Sequence, residues 1–249
     1  MIDIHSHIDA SHPHARTPMD ILFYHYIVTE LRSAGMPLEL ISSKLPVEDV
    51  VKNSLPFLPL IRNTSTHWYF IRMLKELYGF KDSEINLKNV DRLLEAIKEG
   101  STQIDRYKHI LREKARIEKT FLTLKFDEVE PQFDPKFFAG ALRLDPLISN
   151  LNKASLESLE KATNNSIKSL DDFSNSLSHI FRTFSRCVAA TVSFQPEDIF
   201  LNPTNSEATK AFKNLLGNNK LTVNERQILS SYVLRLALKN AEESGFVFQ

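Results

Sequence analysis

Ile2-Asp3-Ile4-His5-Ser6-His7-Ile8-Asp9-Ala10 decides how the chain reads. Isoleucines at alternate positions predict a short strand with one apolar side, and the same alternation sends His5 and His7 together to one face. Two imidazoles two residues apart can grip one metal ion, since neutral imidazole is a common ligand for zinc-like cations. The apolar frame of Ile2, Ile4 and Ile8 predicts that the other face is buried. The plainer alternative is a pair of solvated histidines near the start of the chain.

The 249 residues allow one large α/β domain or two small ones. Thirty-one basic and 31 acidic side chains cancel, which leaves no charge excess for a polyanion, so no nucleic-acid partner is expected. No apolar run approaches the roughly 20 residues that cross a bilayer, and no leader segment is recognisable, so no membrane partner is expected either. The single cysteine, Cys187, cannot form an internal disulfide and fits a reducing compartment, giving a cytoplasmic expectation. Residues 149–178 are rich in Ser and Asn and are expected to include an exposed loop.

Beyond the opening strand comes a loop with His12, Pro13, His14 and Pro18, then a helix with Ile21, Leu22, Ile27 and Leu31 at helical spacing. Gly35 and Pro37 follow in the usual order of helix stop signals. Residues 38–118 read as almost wholly helical: Leu87, Val90, Leu93, Leu94 and Ile97 form a stripe closed by Gly100, and a further helix falls within 104–117. This stretch is expected to be a helical insertion after strand 1, far longer than an ordinary connection. Strand character returns at 121–126, 137–142, 187–194 and 246–248, and helices are expected at 206–216 and 223–241. Strands alternating with helices predict parallel βα units, so the fold class is α/β of the (β/α)8 barrel type. In such a barrel the catalytic groups stand at the C-terminal strand ends, where His5 and His7 fall. About five strands are recognisable, so residues 1–249 read as a single, incomplete barrel domain, a shortened chain.

Four segments together resemble the uronate (glucuronate) isomerase family of the metal-dependent amidohydrolase superfamily. The opening Ile2-Asp3-Ile4-His5-Ser6-His7-Ile8-Asp9 is similar to its first-strand metal motif. Tyr24-His25-Tyr26, followed by Leu31-Arg32-Ser33-Ala34-Gly35-Met36, resembles its Asp-His-Tyr block and Arg-x-x-Gly helix end. Arg62-Asn63-Thr64, His67-Trp68 and Leu74-Lys75-Glu76-Leu77-Tyr78-Gly79-Phe80 resemble its Asn-Pro and His-Trp segment. Ala141-Leu142-Arg143-Leu144-Asp145 resembles its Arg-Pro-Asp motif, and Gly245-Phe246-Val247-Phe248-Gln249 the stretch before its fifth-strand histidine.

The resemblance implies reversible conversion of an aldose uronate, glucuronate or galacturonate, into the ketose uronate. A proton moves between C2 and C1 through an enediol-like intermediate, which demands an acid, a base and an electrophile. By analogy a divalent metal ion, zinc first, would be held by His5 and His7. His25 and Tyr26 would meet the sugar hydroxyls or shuttle protons, and Arg143 would fork the carboxylate. The partner implied is a small-molecule sugar acid, with homo-oligomerisation left open. Taken alone, His25 and Tyr26 read as packed or surface side chains, and Arg143 reads equally as a partner of Asp145 or a neighbouring carboxylate. Trp68 and Tyr69 read as core aromatics, His12 and His14 as solvated loop residues, and Asp9 as a turn residue.

The resemblance stops at the fourth strand. Where the family has Cys-Arg-x-Ser-Asp-His, this chain has Cys187-Val188-Ala189-Ala190-Thr191-Val192, and the acid before His25 is replaced by Tyr24. Losing a proton-transfer carboxylate costs about 10²-fold or more in rate. Two other readings therefore stay open: a metal-dependent hydrolase of the same superfamily, and an inactive remnant.

Overall fold

The computed structural model describes the chain except for Ala10, Ser11, Arg16, Ser43, Ile104, Asn218 and Asn219. In chain order the described elements begin with β1 (Ile2–Ser6), α1 (Pro18–Leu22), α2 (His25–Ser33), α3 (Val47–Ser54), α4 (Ser65–Tyr78), α5 (Val90–Ser101) and the short α6 (Arg106–His109). They continue with β2 (Lys119–Lys125), β3 (Phe138–Arg143), α7 (Lys153–Thr163), α8 (Leu170–Thr183), β4 (Cys187–Thr191), α9 (Asn205–Leu216), α10 (Val223–Ser244) and β5 (Val247–Phe248). The chain divides into two compact units, a strand-bearing one of Met1–Ser11 with Ile117–Gln249 and a helical one of His12–Arg116.

In the strand-bearing unit all five strands run parallel in the order β1-β2-β3-β4-β5, as consecutive βα units require. This is the expected α/β half-barrel. In β2, Thr120, Leu122 and Leu124 are buried while Lys119, Phe121, Thr123 and Lys125 are not. The buried set joins a core that includes Leu142, Phe173, Leu177, Phe181 and Phe212, with the Phe173 and Phe212 rings 5.6 Å apart. Helices α7, α9 and α10 begin in capping boxes, in which an Asn or Thr side chain accepts the N–H three residues on. The Ser/Asn-rich stretch 149–178 is mostly α7 and α8, joined by the exposed loop expected there, residues 164–169, of which only Ile167 is buried. At the helix starts Asn152 and Ser169 each accept the N–H of the third helical residue, Ser155 and Asp172.

Strand β3 is buried along its length except at Arg143. At its centre Gly140 faces β4 so closely that a Cβ there would lie 2.7 Å from Cys187 Sγ, 3.1 Å from Leu124 Cδ1 and 3.2 Å from Cys187 Cα. Cys187 is itself buried, and burial pushes its thiol pKa up to about 12. Past the strand ends Asp145 Oδ1 accepts the Ser193 N–H (3.2 Å), and Leu144 N–H donates to the Thr191 carbonyl (2.9 Å). These bonds tie the end of β3 to the end of β4.

The edge strand β1 departs from expectation. Ile2 and Ile4 are 56 and 59 % exposed, so the apolar frame is not the buried face predicted for it. Two physical reasons are visible: β1 pairs on one side only, with β2, and its register slips between Asp3 and Ser6.

The helical unit has its own core, built from Leu22, Ile27, Leu31, Val50, Phe70, Leu74, Leu93 and Ile97 among others. The single helix expected around residues 21–31 is two, because the chain turns extended at Tyr24 (ψ 158°) between α1 and α2. Gly35 and Gly79 follow α2 and α4 with φ of +94° and +65°, the left-handed region that suits glycine at a helix end. Leu87 does not share the α5 stripe: it precedes the helix and is 69 % exposed. Gly100 lies inside α5 rather than closing it, packed against Tyr78 and Arg106. Of the helix expected over 104–117, Ile104 lies outside the described residues, and the remainder forms α6 and one π-turn at Ile110–Lys114. Among the described residues no helix is long and apolar enough to cross a membrane.

Two outcomes are expected. Gly140→Ala forces backbone apart at the β3–β4 contact and lowers the unfolding free energy by about 1–3 kcal/mol, readable from denaturant unfolding. Burial alone would raise the Asp145 carboxyl, yet the Arg143 side chain, the Ser193 N–H and the Arg143 charge outweigh it and hold the pKa below its ordinary value. A carboxylate depressed in the folded state stabilises above its unfolded pKa, about 3.9, and loses that contribution as pH falls through the folded value. Stability measured against pH therefore drops on the acid side, and Asp145→Asn flattens that limb.

Candidate functional site

The register of β1 slips where the first histidine stands. Asp3 pairs with Thr120 and Ser6 with Leu122, so three steps on β1 match two on β2, a bulge of the kind that redirects side chains. Ser6, between His5 and His7, is pinned by a hydroxyl bond to the Phe121 carbonyl (2.9 Å). Their rings stand nearly perpendicular (82°), with centroids 4.9 Å and Nε2 atoms 3.3 Å apart. Two nitrogens bound to one tetrahedral zinc at 2.0–2.1 Å would be about 3.3–3.4 Å apart. The pair thus has the spacing for two corners of such a site. Among the described residues no group of three or more His, Cys, Asp or Glu is placed to hold a metal ion. His12 and His14 therefore do not join His5 and His7 in one, and Asp9 does not complete it.

Arg143 ends β3, opposite Lys125 of β2 and Thr191 of β4. Register places it on the Phe121–Thr123 side of the sheet, and with β2 between them β1 and β3 run about 10 Å apart. Its Nε and Nη2 donate to Asp145 at 3.1 and 3.4 Å, the alternative pairing that the sequence left open. Of five guanidinium N–H groups, two are committed to Asp145 and three remain. Its side chain is 41 % exposed while that of Asp145 is 9 % exposed, so a buried carboxylate orients a reachable fork. At the end of β4 stand Ala190, Thr191 and Val192, and no acid.

His25 and Tyr26 open α2 in the helical unit, both exposed, with rings 4.1 Å apart. Tyr24, just before them, sets its ring edge-on to both, at 5.9 and 5.8 Å. Burial, and then the neighbouring Tyr26, raise the Tyr24 pKa, so this residue stays a neutral phenol.

The helical unit also holds a feature that sequence reasoning missed. Trp68 and Tyr69, expected in the core, are 54 and 64 % exposed, because His67, Phe70, Ile71 and Leu74 already occupy the inward stripe of α4. Reading that stripe first would have put Trp68 outside. It stands at a cavity of about 720 Å³.

No family model matches the sequence, and no curated protein matches it. Solved structures do match in shape. A uronate isomerase from Thermotoga maritima superposes with a TM-score of 0.85 at 16 % identity, over 100 % of this chain and 58 % of that one. A glucuronate isomerase from Caulobacter crescentus gives 0.84 at 16 %, over 100 % and 57 %, and a uronate isomerase from Bacillus halodurans 0.68 at 15 %, over 99 % and 55 %. The chain therefore has the fold of a little more than half of a uronate isomerase.

Proposed function

We propose that this chain carries the first part of a metal-assisted aldose–ketose isomerase acting on uronates such as glucuronate or galacturonate. The observation that supports it most is the 3.3 Å span between His5 and His7 Nε2, at the β1 bulge in a fold shared with uronate isomerases. The two imidazoles would hold a divalent cation, zinc first, which when bound supplies a Lewis acid for the sugar's carbonyl oxygen. Arg143, oriented by Asp145, offers its three remaining N–H groups to the uronate carboxylate, a planar fork that lysine does not reproduce. His25 and Tyr26 serve as hydroxyl partners and proton carriers in the transfer between C2 and C1.

A hydrolase of the same superfamily is the second reading, favoured by the missing acid at Ala190, Thr191 and Val192. In either case the metal would be held at the mouth of the half-barrel, with a small-molecule substrate, in the cytoplasm.

Zinc affinity is measured by competition against a chromophoric chelator: His5→Ala and His7→Ala are each expected to weaken it about tenfold or more, and unchanged affinity in both defeats the metal reading. With zinc or manganese supplied, ketose uronate should form from glucuronate or galacturonate, and Arg143→Lys should lower kcat/KM about tenfold or more. No ketose from either uronate, with turnover of a lactone or ester instead, decides for the hydrolase.

A further inference from the structure

The cavity beside Trp68 lies wholly within the helical unit, and none of the chemistry above uses it. Its walls come from three consecutive pieces of chain: the turn before α4 (Leu58, Arg62, Asn63), one face of α4 (His67, Trp68, Ile71, Arg72, Lys75, Glu76) and the loop after it (Ser83, Glu84, Ile85). We propose that it binds a nucleoside phosphate, with the base against Trp68 and the phosphate among Arg62, Arg72 and Lys75.

Charge is the first argument. Three cations and two carboxylates line the cavity, yet no carboxylate lies within 4.0 Å of Arg62, Arg72 or Lys75 among the described residues. Elsewhere in this unit Arg92 pairs with Asp82 at 3.4 Å and Lys98 with Glu48 at 2.9 Å, while Arg32, Lys52, Lys81 and Lys88 have no ion pair among the described residues; what sets Arg62, Arg72 and Lys75 apart is that all three line one cavity. A lone carboxylate needs one guanidinium, whereas a phosphate monoester brings about 1.5–2 negative charges and three acceptor oxygens.

The second argument is the aromatic face. Trp68 is more than half exposed although α4 has an apolar stripe to bury, and the Arg72 guanidinium lies 5.2 Å from its ring centroid. An indole with an attached cation is a platform for a flat, electron-rich base and for the phosphate linked to it. Buried His67 adds polarity without charge, since burial lowers its pKa, and Asn63 and Ser83 are within the same walls for sugar hydroxyls. A volume near 720 Å³ falls in the range of small-molecule sites.

Trp68 is the chain's single tryptophan, so its fluorescence reports this cavity alone. ADP titrated into the protein should quench it saturably with a Kd below about 1 mM, while adenosine and inorganic phosphate each bind about tenfold or more weakly. Arg62→Gln and Arg72→Gln should each raise the Kd for ADP about tenfold with the melting temperature unchanged, and equilibrium dialysis of labelled ADP should follow the same order. Absence of saturable binding, equal binding of glucuronate, or full binding by both folded variants overturns the proposal. None of these results depends on isomerase or zinc chemistry, so this site and the proposed active site fail or stand separately.

Discussion

The approach of β3 to β4 at Gly140 sets the geometry of the strand-bearing unit. Cys187 sulfur occupies the space that any other residue's Cβ would need, and the strands close to hydrogen-bonding distance around it. From that contact the register runs outward: Ala141 to Ala189, Arg143 to Thr191, and on the other side Ala141 to Thr123. Because every strand runs the same way, their C-terminal ends share one edge, and the side chains that face a substrate need travel no further than the last residue of each strand. Asp145 then spends its two oxygens on Arg143 and on the Ser193 backbone, so one buried carboxylate both fastens the strand ends and orients the guanidinium.

Much of this was legible in the sequence, and for identifiable reasons. Strands such as 121–126 and 137–142 stand out because β-branched and aromatic residues are bounded by turn residues, and α5 because Val90, Leu93, Leu94 and Ile97 recur at helical spacing. The His5 and His7 pairing followed from the two-residue period of a strand. What it could not reveal was the bulge, since the register of β1 depends on a partner more than 110 residues away (Ser6 with Leu122). The exposure of Ile2 and Ile4 has the same origin: periodicity says which residues share a face, and tertiary contacts decide whether that face is covered. The break at Tyr24 had a local signal: Leu22 and Leu31 are both buried yet stand nine residues apart, about two and a half turns, so one continuous helix would send them to opposite sides. At 149–178 serine and asparagine mark both the exposed loop between α7 and α8 and, through Asn152 and Ser169, the starts of those helices.

Sequence comparison finds no relative, while the backbone superposes on uronate isomerases at 15–16 % identity. Core positions tolerate exchange among apolar side chains of similar volume, so sequences with few identities can share a fold. The residues less free to change are those with a geometric duty. Gly140, the two histidines around Ser6, and the Arg143 and Asp145 pair are of that kind here, each held by a contact that a different side chain would not make.

The lone sulfur at that strand contact carries one more implication. With its proton held to about pH 12 and its surface sealed between two strands, it is a poor nucleophile while the sheet is closed. An alkylating reagent reaches it only in molecules whose sheet has come open, so the pace of labelling counts those openings and makes Cys187 a built-in timer of the half-barrel's breathing.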